Sequence, residues 1–437
     1  MTVRTLNDMN AAGQAKPLSL GWNFSWTLAG SIVSAACQWA IFVLLAKLGT
    51  PVVVGRFSLA LAITAPPFLF ATLNMRTIQA TDARRRYELG HCVALRLAAL
   101  AVAVFYLVVM FFLSHVSFTF AVIISGVALA RTFDALSDVV YGFLQQRERM
   151  DRIAFSRIIQ GTLQVFALGT AYWLTHNLLF AVIAHAVASG LVTVFYDVPS
   201  AVWASGYSGT QTDAQNRITP IQISPIVPRW HFPTLLALAR LSLPLGVVAV
   251  FGALSMAIPR YYIAHDLGER DLGLFSAMAY SIAAMGMIYG AMVQSAMPQL
   301  SVAYRQDRRK FARLMRRLMA AALANGLVGL MIAALCGGKL LTLFYKAEYA
   351  AHPWVLIWLA VYMTLFMLSS AMTAGLSAAH RFGVQPLVIL GQAAATALGC
   401  MWLIPKFGLL GAVFGMIAGF VVCLVCFGQL LRREPAL

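Results

Sequence analysis

Charge is what this sequence has least of. Only 11% of its 437 residues are charged, and aspartate and glutamate together number 15. A soluble domain usually carries about 25% charged residues, so there is too little charge to coat a water-facing surface of this size. A soluble enzyme, a nucleic-acid binder and a disordered scaffold are excluded on that ground, even with a net charge of +17. Cysteine is also scarce. The six (Cys37, Cys92, Cys336, Cys400, Cys423 and Cys426) lie in or beside apolar stretches, and the CxxC of Cys423 and Cys426 falls in a run apolar enough for lipid. Redox or metal chemistry needs polar access. The cysteines therefore read as small hydrophobes, and no metal or cofactor is expected. HExxH, GxSxG and P-loop motifs are missing, as is any long outer loop in which to build a reaction centre, so catalysis is not expected. Residues 1–17 are polar and the apolar run behind them is too long for a signal h-region, so no cleavable signal is expected.

What is present in quantity is hydrocarbon. Hydrophobic residues make up 61% of the chain, and the mean hydropathy is +0.79. A helix needs about 20 apolar residues to cross a bilayer. Runs of that kind occur near 22–46, 57–75, 93–113, 118–143, 153–175, 178–196, 234–258, 272–297, 318–336, 353–377, 383–404 and 407–431. Transmembrane β-strands alternate in polarity and are about half as long. The expected class is an all-α integral membrane protein with about twelve transmembrane helices.

The basic residues orient it. With the N-terminus inside, seven of the 32 Lys and Arg fall outside (Lys47, Arg56, Arg260, Arg270, Lys339, Lys346 and Lys406), and Arg131 lies within a span. The remaining 24 are counted with the cytoplasmic segments and the span ends beside them. They include Arg84–Arg86, the trio Arg147, Arg149 and Arg152, and the seven-residue cluster from Arg305 to Arg317. Both termini are expected in the cytoplasm, and the basic clusters read as topological, with attraction to anionic head groups as a by-product.

The longest connection is polar and punctuated by Pro220, Pro225, Pro228 and Pro233, the composition of a linker. It divides the chain into 1–204, a linker over 205–232, and 233–437, with six spans on either side. The halves echo each other. Leu48-Gly49 precedes Gly55-Arg56-Phe57-Ser58 and a long span; Leu267-Gly268 precedes Gly273-Leu274-Phe275-Ser276 and another. An even number of spans per half makes the repeats parallel, an arrangement of transporters with a substrate site between the halves.

Polar groups inside spans are costly, so they mark function or pairing. Arg131, Asp134 and Asp138 share one stripe of the fourth span, continued by Gln145. Either Arg131 and Asp134 neutralise each other at i,i+3, or Arg131 faces a wet cavity and binds an anionic group while Asp134 or Asp138 takes a coupling cation. Gln38, Arg76, Arg240, Arg260 and Gln294 are further cavity candidates. Arg76 and Gln294 each lie nineteen residues beyond the repeat phenylalanines, Phe57 and Phe275. Snorkelling or interfacial anchoring is the competing reading for Arg76, Arg240 and Arg260. Pro66-Pro67 and Pro244 offer hinges, and Gly411, Gly415 and Gly419 form a close-packing ridge.

With these features in place, LAKLGTPVVVGRFSLALAI, YGFLQQRERMDRIAF and LIPKFGLLGAVFGMIAG resemble segments of the bacterial polysaccharide-biosynthesis flippases. Those flippases belong to the multidrug/oligosaccharidyl-lipid/polysaccharide exporter superfamily. The resemblance covers nearly the whole chain and implies two parallel six-helix lobes in a V-shaped protein of the bacterial inner membrane. It further implies alternating-access transfer of an undecaprenyl-diphosphate-linked oligosaccharide from the cytoplasmic to the periplasmic leaflet, in company with polymerase and export proteins. Arg131 best fits a site for the diphosphate, with Arg76 and Arg240 behind it. A cation-coupled multidrug antiporter of the same superfamily is the first alternative, and a membrane polymerase or glycosyltransferase of the same pathway the second.

Overall fold

The computed structural model describes residues 20–81, 87–114, 116–205, 226–379 and 384–432. The basic run Arg84–Arg86 and most of the 205–232 linker lie outside the described residues. Within them the regular structure is entirely helical, as a chain in hydrocarbon requires, because each backbone N–H and C=O must be satisfied within its own segment.

The helices in chain order are α1 (Leu20–Leu48), α2 (Pro51–Thr72), the short α3 (Met75–Thr81), α4 (Leu89–Leu113), α5 (Phe118–Gln146), α6 (Met150–Thr175), α7 (Leu178–Val192) and α8 (Val198–Ala204), with a π turn over Thr193–Asp197 between the last two. After the linker come α9 (Phe232–Asp266), α10 (Glu269–Gln306), α11 (Arg308–Phe344), α12 (Pro353–Ala378), α13 (Gln385–Phe407) and α14 (Leu409–Arg432). Eleven candidate spans among the described residues are long and apolar enough to cross a membrane. The fifth of the twelve expected spans is α6. It is a continuous helix of 26 residues, but it carries Asp151, Arg152, Arg157, Gln160 and Gln164. A helix of spanning length with so many polar groups must turn them onto other helices, and the contacts below are where they go.

The chain packs as two compact units. The first comprises residues 1–34, 67–168 and 182–249; the second comprises 35–66, 169–181 and 250–437. In the first, Gly30 of α1 lets that helix close on Ala154 of α6, where a Cβ would lie 2.8 Å from the Ala154 Cα. In the second, Tyr289, Leu300, Phe311, Met315, Met367 and Ala371 form the centre of a buried cluster joining α10, α11 and α12. The Gly411–Gly419 ridge of α14 lies against α13: a Cβ at Gly415 would stand 2.7 Å from the Cys400 nitrogen, and one at Gly419 2.1 Å from Thr396 Oγ1. Close packing accounts for the ridge, as expected.

The two copies of the sequence repeat meet inside the second unit. A Cβ on Gly55 of α2 would fall 1.8 Å from the Glu269 carbonyl oxygen, and a Cβ on Gly273 of α10 would fall 1.8 Å from the Pro51 carbonyl oxygen. The contact is reciprocal, since each glycine meets the carbonyl four residues before its counterpart. One turn further on, the hydroxyls of Ser58 and Ser276 are 2.6 Å apart, and Arg56 Nε donates to Glu269 Oε2 at 2.7 Å. Phe57 and Phe275, the repeat phenylalanines, are both buried, and Phe42 stacks on Tyr280 with centroids 3.8 Å apart.

Pro66 and Pro67 lie inside α2 without ending it. Pro66 has no N–H to give the Ala62 carbonyl. The Tyr261 hydroxyl of α9 donates to that carbonyl at 2.8 Å. A hydroxyl from another helix thus replaces the lost bond, worth about 1 kcal/mol net and more if the carbonyl were left bare.

Candidate functional site

The polar residues of α5 open onto four neighbours in the first unit. Arg131 is half-buried and Asp134 exposed. Asp134 Oδ1 accepts a 2.6 Å bond from Gln160 Nε2 of α6, and the Arg131 charge acts on both Asp134 and His185 of α7. One turn on, Asp138 Oδ2 accepts from Arg96 Nη2 of α4 at 2.8 Å. Arg96 is fully buried, its Nη1 donates to the Ala71 carbonyl at 3.0 Å, and its Nε has no partner among the described residues. Asp138 is therefore tied into an ion pair that closes the end of α2.

Arg76 of α3 donates from Nε to Gln145 Oε1 at 2.9 Å. Its guanidinium carbon lies 5.7 Å from the Tyr141 ring centroid, and that of Arg157 lies 5.8 Å from the same ring. Two cations thus lie within reach of one aromatic ring, at distances where its quadrupole attracts both.

Behind Tyr141 runs a chain of hydroxyls ending on a carboxylate. The Tyr141 and Ser156 hydroxyls are 2.8 Å apart, and Ser156 donates to Asp197 Oδ1 at 2.6 Å. Ser137 donates to Asp197 Oδ2 at 2.6 Å and lies 2.9 Å from Thr193 Oγ1, which itself donates to the Ser189 carbonyl at 2.9 Å. Gln164 Nε2 donates to Ser189 Oγ at 2.7 Å. Asp197 is fully buried, and its hydrogen bonds come from uncharged hydroxyls. It closes the π turn, a local irregularity that recurs at functional positions.

The other sequence candidates stand apart from this group. Arg240 is exposed on α9 in the first unit. Gln38 and Gln294 are exposed residues of the second unit, and Arg260, in the same unit, donates to the Met256 carbonyl of its own helix. The structure thus joins Arg131, Asp134, Asp138 and Arg76 around α5, and adds Arg96, Arg157, Gln160 and Asp197. Arg96 was readable, since it sits three residues inside the third apolar run. Asp197 lies one residue beyond the sixth apolar run, so it falls outside the spans read from hydropathy; the signal for it is the renewed apolar stretch VPSAVW that follows.

No protein-family profile matches the chain. A capsular polysaccharide biosynthesis protein, CapF of Staphylococcus aureus, is 26% identical over 418 residues, which are 94% of this chain and 99% of that protein. Among solved structures, the lipid II flippase MurJ in an inward closed conformation superposes with a TM-score of 0.68 at 10% identity, covering 91% of this chain and 86% of that one. A MATE transporter in complex with MaL6 gives 0.64 at 15% identity, covering 94% of each chain. The fold is that of the MATE and MurJ structures, and over nearly its whole length the chain is similar to a capsular polysaccharide biosynthesis protein. The chain is a multi-pass membrane protein whose structural neighbours are transporters and flippases.

Proposed function

We propose that this protein flips an undecaprenyl-diphosphate-linked oligosaccharide from the cytoplasmic to the periplasmic leaflet of a bacterial inner membrane, with both termini cytoplasmic and the halves 1–204 and 233–437 acting as two lobes. The observation that carries this reading is the set of arginines on or beside the fourth span. Arg131, Arg76 and Arg157 are always charged and offer the forked geometry that matches a diphosphate. The head group would meet these side chains while the hydrocarbon tail stayed in the bilayer. Arg240, Gln38, Gln294 and Arg260 are assigned to the path of the sugar on the strength of their place in the sequence. Asp134 and Asp197 are assigned to coupling: Asp134 lies beside Arg131 with Gln160 as a hydrogen-bond partner, and Asp197 is a buried carboxylate held by hydroxyls, an arrangement that is costly for a charge inside a span. Asp138, paired with Arg96, is assigned to the fold.

The second reading, a cation-coupled multidrug antiporter, is favoured by the MATE neighbours and by Asp197 itself. One experiment separates the two. Cells lacking the gene are complemented with the wild type, Arg131→Ala or Arg131→Lys, and both lipid-linked oligosaccharide and surface polymer are measured. The flippase reading expects oligosaccharide to accumulate and polymer to vanish without the gene. It expects Arg131→Ala to fail and Arg131→Lys to restore export at a level lower by about tenfold. Unchanged polymer with altered sensitivity to cationic drugs would establish the antiporter.

A further inference from the structure

A narrow cavity of about 200 Å³ lies in the second unit where α1 meets α10, α11 and α12. Its long wall is a single stripe of α11, from Gly329 past Ile332 and Ala333 to Leu340 and Phe344. At 1.5 Å per residue that stripe rises about 22 Å, most of the roughly 30 Å hydrocarbon thickness of a bilayer. So small a volume spread over so great a length describes a slot one chain wide.

The chemistry of the walls is as specific as the shape. Gly329 and Ala333 form a low floor, with Met285 packed against Gly329. The only polar atoms gather at the Phe344 end and are used up among themselves. Trp39 Nε1 donates to the Tyr345 hydroxyl at 2.9 Å, Ser281 Oγ lies 2.9 Å from the same hydroxyl, and that hydroxyl donates to the Ala277 carbonyl at 3.0 Å. The side-chain donors lining the slot are thus all engaged within the protein. The mouth opens through an apolar surface, the kind a spanning helix turns to lipid: Ile332 is 48% exposed, and Val328, Met331, Leu335 and Leu343 continue it.

We propose that this slot binds one extended acyl chain of a bilayer phospholipid. The chain enters laterally past Ile332 and lies parallel to α11. Because Trp39 comes from α1 while the remaining walls come from α10, α11 and α12, a chain in the slot touches the N-terminal and C-terminal halves at once. Its occupancy adds a second link between the halves, from α1, to the one that Gly55 of α2 and Gly273 of α10 form. The occupant is bulk lipid of the surrounding leaflet rather than transported cargo, because the slot opens to the bilayer and presents no group for a phosphate or sugar.

The test uses Trp39 as the reporter. Full-length protein is reconstituted in nanodiscs of phosphatidylglycerol whose acyl chains are dibrominated at mid-chain, and the Trp39 emission is taken as the difference between the wild type and Trp39→Phe. The expected result is that bromine quenches at least half of the Trp39 emission, and that Ala333→Phe, which fills the floor, restores most of it. Ala333→Leu adds less volume and serves the same purpose if the larger side chain is not accommodated. Quenching that neither substitution relieves would place bromine outside the slot and overturn the proposal. So would relief of quenching by a few molecules of unbrominated undecaprenyl phosphate per protein, with no relief from the same amount of unbrominated phospholipid, because the slot would then select a polyprenyl chain.

Discussion

Arg96 and Asp138 form the costliest polar arrangement among the described residues, a guanidinium with no exposed surface held by one carboxylate and one carbonyl. Removing one partner of a buried pair leaves an uncompensated charge, typically at 3–5 kcal/mol. Asp138→Asn is therefore expected to lower the unfolding temperature sharply in detergent, whereas Asp134→Asn keeps an acceptor for Gln160 and leaves it unchanged. Transport normalised to folded protein should fall more for Asp134→Asn. The double variant Arg96→Leu with Asp138→Leu should recover stability, since well-packed apolar residues replace buried pairs at little cost. Equal unfolding temperatures for all these proteins would show that water reaches the pair. The sequence held half of this account. The stripe of Arg131, Asp134 and Asp138 was legible from helical spacing, but the partners of those residues were not, because Arg96 and Gln160 reach α5 from other helices and nothing local encodes that meeting.

At the scale of elements, the helices were legible because hydropathy reports the solvent a segment faces, and the bilayer is a uniform solvent. The fifth span shows the limit of that rule. Helix α6 is long enough to cross, yet Arg157, Gln160 and Gln164 make it too polar for lipid on every side, and only the presence of α5 and α7 beside it explains its place. The prolines show the same limit in α2, where a break is averted by a hydroxyl 199 positions away in sequence. Contact between α2 and α10 has its own test. Cysteines at Ser58 and Ser276, whose hydroxyls are 2.6 Å apart, are within the distance at which a disulfide closes. In a background lacking native cysteine, oxidation should cross-link Ser58→Cys with Ser276→Cys and stop transport, and reduction should restore it. Full transport by the oxidised protein would mean that the contact is permanent and that motion occurs elsewhere.

Across the whole molecule, the two compact units do not follow the order of the chain. They divide α1 after Ser34, α2 between Pro66 and Pro67, α6 after Leu168, α7 after Ala181 and α9 after Ala249. The Pro-Pro step anticipated as a hinge is thus a boundary between packing units, while Pro244 lies about one and a half turns from another. Proton coupling is tested at this scale, because it concerns a complete cycle. In proteoliposomes, transport by the wild type should follow an imposed pH gradient. Asp197→Asn, which keeps an acceptor oxygen for one of the two serine hydroxyls and the shape of the side chain but cannot ionise, should abolish that dependence while substrate exchange without a gradient continues. A gradient response retained by Asp197→Asn would move coupling to Asp134.

The reciprocal glycines carry a last consequence. Two copies of an ancestral half, once fused, are free to drift apart wherever each copy faces its own surroundings. Where a copy faces its twin, that freedom ends, because any atom added on one side intrudes on the equivalent place of the other. Gly55 and Gly273 each lie so close to the partner's backbone that neither has room for a first carbon. The short motif by which the halves could be matched in sequence therefore survives at a place where they touch backbone to backbone, and ancestry stays readable there because the protein has nowhere to put the difference.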